Sequence, residues 1–241
     1  MIETGQFSNN LPTVSDSSNN SPIDQLAFEH VRSAAGDTHV AGVDEAGRGP
    51  LAGPVVAASL VLPDEWRESG LPEELDGLND SKQLSEKKRD RYFEFLQSYS
   101  PIDFHIAIVD APEIDEINIL QATYVAMVRA VDGLAKKPDY VLIDGNRIPP
   151  KLSTPSEAIV KGDSRSLSIA AASILAKVHR DRLMVEYDKQ FPGYGFAKHK
   201  GYGTKAHLAA IEELGPCPIH RMSFAPIRQT QLDLFSGNDS K

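Results

Sequence analysis

Four short apolar runs in this chain each close on a carboxylate. HVAGVD ends at Asp44 with Glu45 next in line, IDFHIAIV runs into Asp110, PDYVLID ends at Asp144 and EAIVKGD ends at Asp163. Runs of this length, rich in β-branched residues and bounded by Gly, Pro, Asn and Asp, read as strands. The stretches between them carry helical periodicity. A chain that alternates in this way predicts a mixed sheet covered by helices, α/β or α+β in class, with acids at the mouth of the sheet.

HVAGVD (39–44) and PVVAASLVL (54–62) flank a Gly/Pro-rich bend, which predicts a hairpin. SEKKRDRYFEFLQSY (85–99) opens on Ser85, a candidate N-cap, and places Tyr92, Phe95, Leu96 and Tyr99 on one helical face. Asp110 stands before Pro112 and Glu113, so it reads as the cap of a helix that continues through Ile117, Leu120, Tyr124, Met127, Val128 and Val131. Further helices are predicted over 167–190 and 204–214. The small residues of AAAS (170–173) allow close approach of the longer one to the sheet. Residues 1–38, rich in Ser, Asn, Asp and Thr, read as a mostly disordered tail with a short helical turn near 27–35. The folded domain is expected over 39–228, and a second tail over 229–241.

Composition sets outer limits. The 241 residues carry 25 Lys and Arg against 34 Asp and Glu, a formal charge of −9. That argues against coating nucleic acid through bulk positive charge. The charge is uneven, however: residues 144–228 hold 13 Lys and Arg against 8 Asp and Glu, so a basic face remains available. The lone cysteine, Cys217, excludes an intrachain disulfide and fits a reducing compartment. No leader-like segment and no apolar run of roughly 20 residues is present. The expectation is a cytoplasmic, monomeric protein with no membrane contact.

The strand-ending acids carry the chemistry. Neighbours on a regular strand point to opposite faces, so Asp44 and Glu45 can serve one site only if the strand bends there. Gly47, Gly49 and Gly53 give the following turn its freedom and let a ligand backbone approach. Neither GxxxxGK[ST] nor GxGxxG is present. Several carboxylates without a His or Cys ligand pattern point to hard cations, Mg²⁺ or Mn²⁺. Two such ions about 4 Å apart would suit phosphodiester hydrolysis.

Seven blocks together resemble bacterial ribonuclease HII, the type 2 ribonuclease H. They are AGVDEAGRGPLAGPVV (41–56), LNDSKQLSEKKR (78–89), EIDEINILQAT (113–123), VLIDGN (141–146), VKGD (160–163), AAASILAKVHRDR (170–182) and YGFAKHKGYGT (194–204). The resemblance implies a ribonuclease H-like fold, a mixed five-stranded sheet flanked by helices with a C-terminal helical part. It implies that Asp44, Glu45, Asp144 and Asp163 are the catalytic acids and hold two Mn²⁺ or Mg²⁺ ions, with Glu45 acting through its side chain or its carbonyl. It implies a substrate of RNA in an RNA/DNA hybrid, including a single ribonucleotide in duplex DNA cut on its 5′ side. Gly47, Arg48 and Gly49 with Tyr202 match the family's ribonucleotide sensor, in keeping with glycine backbone approaching a 2′-hydroxyl and an aromatic ring stacking beside it. The sister family, ribonuclease HIII, shares the acids but usually lacks an arginine at the position of Arg48.

Lys177 and Asp181 are spaced for an i,i+4 ion pair. Within the family-like block, Lys177 and Arg180 are expected to contact phosphate and Asp181 to back the metal ligands; Lys82 is a further phosphate contact. His199 and His220 border the groove, with the remaining histidines on the surface. In the C-terminal tail Gln231, Leu232, Leu234 and Phe235 resemble the pentapeptide that binds the bacterial sliding clamp, with the apolar side chains as pocket anchors. Two rival readings are a non-catalytic hybrid-binding adaptor recruited by the clamp, and a phosphohydrolase of small nucleotides.

Overall fold

The computed structural model describes residues 24–78, 81 and 84–228. Lys82 and the 229–241 segment, including the clamp-like pentapeptide, lie outside the described residues.

A five-stranded sheet in the order β3-β2-β1-β4-β5 organises the chain. Strands β1 (Val40–Ala46) and β2 (Val55–Val61) form the predicted antiparallel hairpin, and β3 (Asp103–Val109) pairs antiparallel with β2. On the other side β4 (Tyr140–Asp144) lies parallel to β1, and β5 (Ser156–Ile159) parallel to β4. Both faces are covered, so β2 is buried along its whole length and reads as a continuous apolar run rather than an alternating one.

One face packs on α6 (Leu167–Gln190), 24 residues long as the sequence predicts, together with α3 (Glu86–Ser98). The Oγ of Ser85 accepts from the Lys88 N–H and caps α3. Ala170, Ala171 and Ala172 are fully buried against the sheet. Opposite them Gly42 has no room for a side chain: a Cβ there would lie 2.2 Å from the Ser168 carbonyl carbon. The other face packs on α5 (Ile119–Asp132), whose Ala122, Ala126, Met127, Ala130 and Val131 meet Val43, Val55, Ala57, Val141 and Ile143.

Two predicted elements differ. The helix after Asp110 is broken in two. Asp110 caps α4 (Ala111–Ile117) as expected, but Asn118 then takes φ 67° and its Oδ1 accepts from Leu120 N–H and Gln121 N–H, starting α5 afresh. An unbroken apolar periodicity hid a residue that competes for its own backbone. The strand predicted to reach Asp163 stops at Ile159. Lys161 enters the left-handed region (φ 56°), and Asp163 lies in a one-turn 3₁₀ segment, Gly162–Ser164.

Helix α1 (Ala27–Ala34) also docks on the domain. Its buried Glu29 accepts from the Ser166 hydroxyl at 2.6 Å and from the hydroxyl and N–H of Ser168 at 2.7 and 3.0 Å. A carboxylate there favours the N-terminal end of α6. After α2 (Asp64–Ser69) and the elements above, α7 (Phe196–His199) and α8 (Lys205–Leu214) complete a C-terminal helical part, with Thr204 capping α8. Among the described residues no helix is long and apolar enough to cross a membrane.

The Gly42 contact gives a direct check. Gly42→Ala must push α6 off β1 and is expected to cost about 3 kcal/mol. A denaturant midpoint within error of the parent chain would show that the two elements are not packed this closely.

Candidate active site

The acids converge because of register. Strands β1 and β4 run parallel with Val43 opposite Ile143, so Asp44 and Asp144 occupy neighbouring positions at the strand ends. Their partner arrives by a tight return: beyond Ile159 the left-handed Lys161 turns the chain, and the Gly162 N–H donates to Asp144 Oδ1 at 2.7 Å. A side chain at Gly162 would press on Ile169 Cδ1 at 2.7 Å, so the glycine lets the turn sit against α6 without displacing that methyl. Asp44, Asp144 and Asp163 each offer one carboxylate oxygen, and these oxygens lie within 4.8 Å of one another.

Asp44 and Asp163 are buried and Asp144 half-buried. Burial raises the pKa of Asp44 well above its ordinary value, and the charges of Glu45, Asp144 and Asp163 raise it further. The Glu45 N–H, donating to Asp44 Oδ1 at 2.7 Å, opposes the rise. Like charges gathered this closely are unfavourable unless a cation sits among them. Three hard oxygen donors, with no His or Cys beside them in the group, fit a divalent cation of the Mg²⁺, Mn²⁺ or Ca²⁺ type.

Glu45 does not join this group through its carboxylate. The β1 ladder continues in step through Ala46, opposite Val56, so the bend that would turn both acids to one side is absent. Glu45 lies on the α5 face of the sheet, where its Oε1 accepts from Arg48 Nη1 at 3.2 Å. It lines a cavity of about 360 Å³ with Arg48, Thr123, Tyr124, Asn146 and Arg147, and Asp144 borders the same space.

The turn after β1 is fixed by two arginines. Arg180, 1% exposed, donates to the carbonyls of Pro54 (2.9 Å), Lys200 (3.0 Å) and Ala52 (3.1 Å). Arg221, 0% exposed, donates to Gly53 O (3.0 Å), Arg48 O (2.9 Å) and Gly47 O (2.5 Å). Burial lowers both guanidinium pKa values, to about 10 and about 9, and the charge of Arg180 adds to the shift at Arg221. Gly47 takes φ 97°, and a Cβ there would strike Arg180 Nε at 2.0 Å. Tyr202 is 48% exposed and its ring faces Gly49, whose added Cβ would sit 3.6 Å from Tyr202 Cε1. Gly47, Arg48, Gly49 and Tyr202 therefore form one surface.

Several expectations need correction. Arg180 is not a phosphate contact, because its guanidinium is buried on loop carbonyls. Asp181 faces the cleft between α3 and α6 rather than the acid group, and it pairs with Lys177 at 2.7 Å as their i,i+4 spacing predicts. His207 is buried rather than on the surface, and His220 is buried rather than open to the groove. Sequence reasoning passed over Arg221 altogether. A single arginine between His220 and Met222 carries no pattern, and only the return of the chain beside the 47–54 turn buries it. Asp115 was also missed; it accepts from Met222 N–H, Ser223 N–H and the Ser223 hydroxyl, tying α4 to that return.

A ribonuclease H-like sheet with an acidic cation site at its mouth defines the class of protein, a metal-dependent nuclease. The family model for ribonuclease HII matches residues 41–227, and the chain belongs to that family, making it a ribonuclease H. Ribonuclease HII of Bacillus pumilus is 56% identical over 205 residues, 85% of this chain and 77% of that protein. The protein from Syntrophotalea carbinolica is 53% identical over 207 residues, 86% and 95% respectively. Among solved structures, ribonuclease H2 of Pyrococcus horikoshii is similar at 28% identity and TM-score 0.67, covering 82% of this chain and 99% of that one. The ribonuclease HII complexed with PCNA from Archaeoglobus fulgidus follows at 26% and 0.59, covering 77% and 95%.

Two measurements check the site. Asp144→Asn keeps an acceptor for the Gly162 N–H while removing one charge beside Asp44. Its metal-free melting temperature is expected to equal or exceed that of the parent, and the upward shift on adding Mn²⁺ to disappear; an unchanged Mn²⁺ shift would contradict the cation site. Arg221→Leu strands three loop carbonyls and is expected to cost about 3 kcal/mol, or roughly 10 °C of melting temperature. A change below about 2 °C would show that the turn holds without it.

Proposed function

We infer that the protein hydrolyses the RNA strand of RNA/DNA hybrids and cuts on the 5′ side of single ribonucleotides in duplex DNA, leaving 3′-hydroxyl and 5′-phosphate ends. The observation that carries this reading is the placement of three clustered carboxylates at the ends of β1 and β4 and just beyond β5, with the 47–49 turn leading directly out of β1. Family membership supports hybrid cleavage. The match of Gly47, Arg48, Gly49 and Tyr202 to the family's ribonucleotide sensor supports the action at single ribonucleotides.

Asp44, Asp144 and Asp163 would hold the cations, Mn²⁺ or Mg²⁺, with Glu45, which shares a cavity with Asp144, contributing through its side chain or its backbone carbonyl. Bound there, two hard cations supply activation of the attacking water and neutralise charge at the scissile phosphate and leaving oxygen. The chain's own residues do the selecting. The backbone of Gly47 and Gly49, bare of side chains on either side of Arg48 and held from below by Arg221, presents a surface for a 2′-hydroxyl. The Tyr202 ring stacks on the adjoining sugar or base. Exposed Arg48 and Arg147, which line the cavity bordered by Asp144, meet the phosphates. Because Asp44 binds its proton more tightly than a free carboxylate, cation and proton compete there, and cation affinity rises with pH.

Asp44→Asn is expected to lower cleavage of a duplex with one embedded ribonucleotide by about a thousandfold or more while leaving duplex binding intact. Undiminished cleavage would remove the mechanism, and binding without turnover by the parent chain in Mn²⁺ would favour the adaptor reading.

Gln231, Leu232, Leu234 and Phe235 are proposed to bind the sliding clamp. The support is the pentapeptide pattern together with the solved complex of PCNA with the Archaeoglobus fulgidus relative. Deleting 229–241 is expected to leave cleavage unchanged and abolish binding to purified bacterial clamp, as read by surface plasmon resonance; retained binding would refute the assignment.

A further inference from the structure

Three histidines outside the acid group meet in the C-terminal helical part, and their hydrogen bonds admit one arrangement of protons. His207 Nδ1 lies 2.9 Å from the Tyr202 carbonyl oxygen. A carbonyl only accepts, so Nδ1 carries the hydrogen. His207 Nε2 lies 3.0 Å from His220 Nε2. The Cys217 N–H donates to His220 Nδ1 at 2.9 Å. That nitrogen also lies 3.3 Å from the Cys217 carbonyl, but donating to it would set two N–H groups against each other at the shorter contact. His220 Nδ1 therefore accepts and its Nε2 donates, leaving His207 Nε2 as the acceptor between them. The chain runs one way: Cys217 N–H to His220, His220 to His207, His207 to the Tyr202 carbonyl.

His199 completes the set. Its ring stacks on His207 at 4.4 Å between centroids, its Nε2 donates to Tyr194 O at 2.8 Å, and its Nδ1 accepts from the Gly201 N–H at 3.2 Å. The N–H of Gly201, the residue before Tyr202, and the carbonyl of Tyr202 itself are thus gripped by two imidazoles of opposite tautomer. The Tyr202 carbonyl takes a second donor, the Thr204 N–H, at 2.8 Å.

This is a costly way to fill a core. Leucine or phenylalanine would pack beside Phe196 and Tyr194 without desolvating polar nitrogens. Burial lowers the pKa of His207 and of His220, the latter to about 4, so both are neutral at neutral pH as the chain of bonds requires. What the imidazoles add is direction, a donor fixed on the backbone of the residue whose ring faces Gly49.

We propose that His207 and His220, with His199, are positioning residues for Tyr202: their fixed-tautomer chain sets the place of the Tyr202 ring over the 47–49 turn and thereby the turnover of the ribonucleotide-containing strand. The proposal deepens the functional reading above and rests on Tyr202 touching the ribonucleotide.

Two experiments on the full chain test it. In long-range ¹H–¹⁵N NMR spectra at neutral pH, His207 is expected as the neutral Nδ1–H tautomer and His220 as the neutral Nε2–H tautomer. An imidazolium signal from His207 or His220, or His207 carrying its hydrogen on Nε2 alone, overturns the arrangement without reference to activity. In kinetics on a duplex with one ribonucleotide, His207→Leu is expected to lower kcat by roughly ten- to a hundredfold with KM within about twofold. His207→Asn, which restores a donor near the Nδ1 position, recovers most of that loss. Tyr202→Ala serves as the reference. If it lowers kcat while the Leu and Asn variants are equally impaired or both unimpaired, the positioning role fails and the reading of Tyr202 stands. If Tyr202→Ala changes nothing, the reading of Tyr202 fails and takes the positioning role with it.

Discussion

Two buried guanidinium groups lie under the turn that leaves β1, and the site depends on them. Arg180 and Arg221 direct their donors to the carbonyls of Gly47, Arg48, Ala52, Gly53, Pro54 and Lys200. A turn this poor in side chains has little apolar surface to hold it, and its inward carbonyls need partners. The arginines supply these at the expense of placing like charges close together in a desolvated place. The turn is pinned from beneath, and its outer surface, from Gly47 to Gly49 with the Tyr202 ring beside it, is left free of structural duties.

The acid group obeys a different constraint, strand register. Parallel pairing brings Asp44 and Asp144 together across β1 and β4 without help from any loop. Asp163 is brought in by the left-handed turn at Lys161, with Gly162 packed close on Ile169. The long α6 begins just beyond it, its first turn capped by Ser166 and Glu29 and packed against Gly42. Docking of α1 therefore reaches the site through the start of α6. Asp44 and the turn share β1, and α6 carries Arg180 under the turn while beginning just beyond Asp163, which ties the cation centre to the recognition surface.

Much of this was legible in residue order. The hairpin, the 24-residue α6, the capped α3 and the strand-ending Asp44 and Asp144 follow from periodicity and capping chemistry, because those signals are local. The break at Asn118 escaped because the apolar spacing runs through it, and the early end of β5 because VKGD reads as strand until Lys161 turns left-handed. Glu45 shows the limit of motif reading. Adjacent in sequence to Asp44, it faces the opposite side of a regular strand. Arg180, Arg221 and the histidines are the harder cases. Polar side chains default to the surface in any sequence reading, and only tertiary closure shows that their partners are backbone carbonyls and one another. Two of the thirteen cations in the basic 144–228 region are thereby withdrawn from substrate contact.

The most direct test is a crystal structure of the Asp163→Asn chain with Mn²⁺ and a duplex carrying one ribonucleotide, with anomalous scattering to locate the ions. Anomalous density between Asp44 and Asp144, with the ribose 2′-hydroxyl against the Gly47–Gly49 backbone and the Tyr202 ring, is the predicted result. A duplex seated away from the turn, or ions bound outside the carboxylate group, would contradict it.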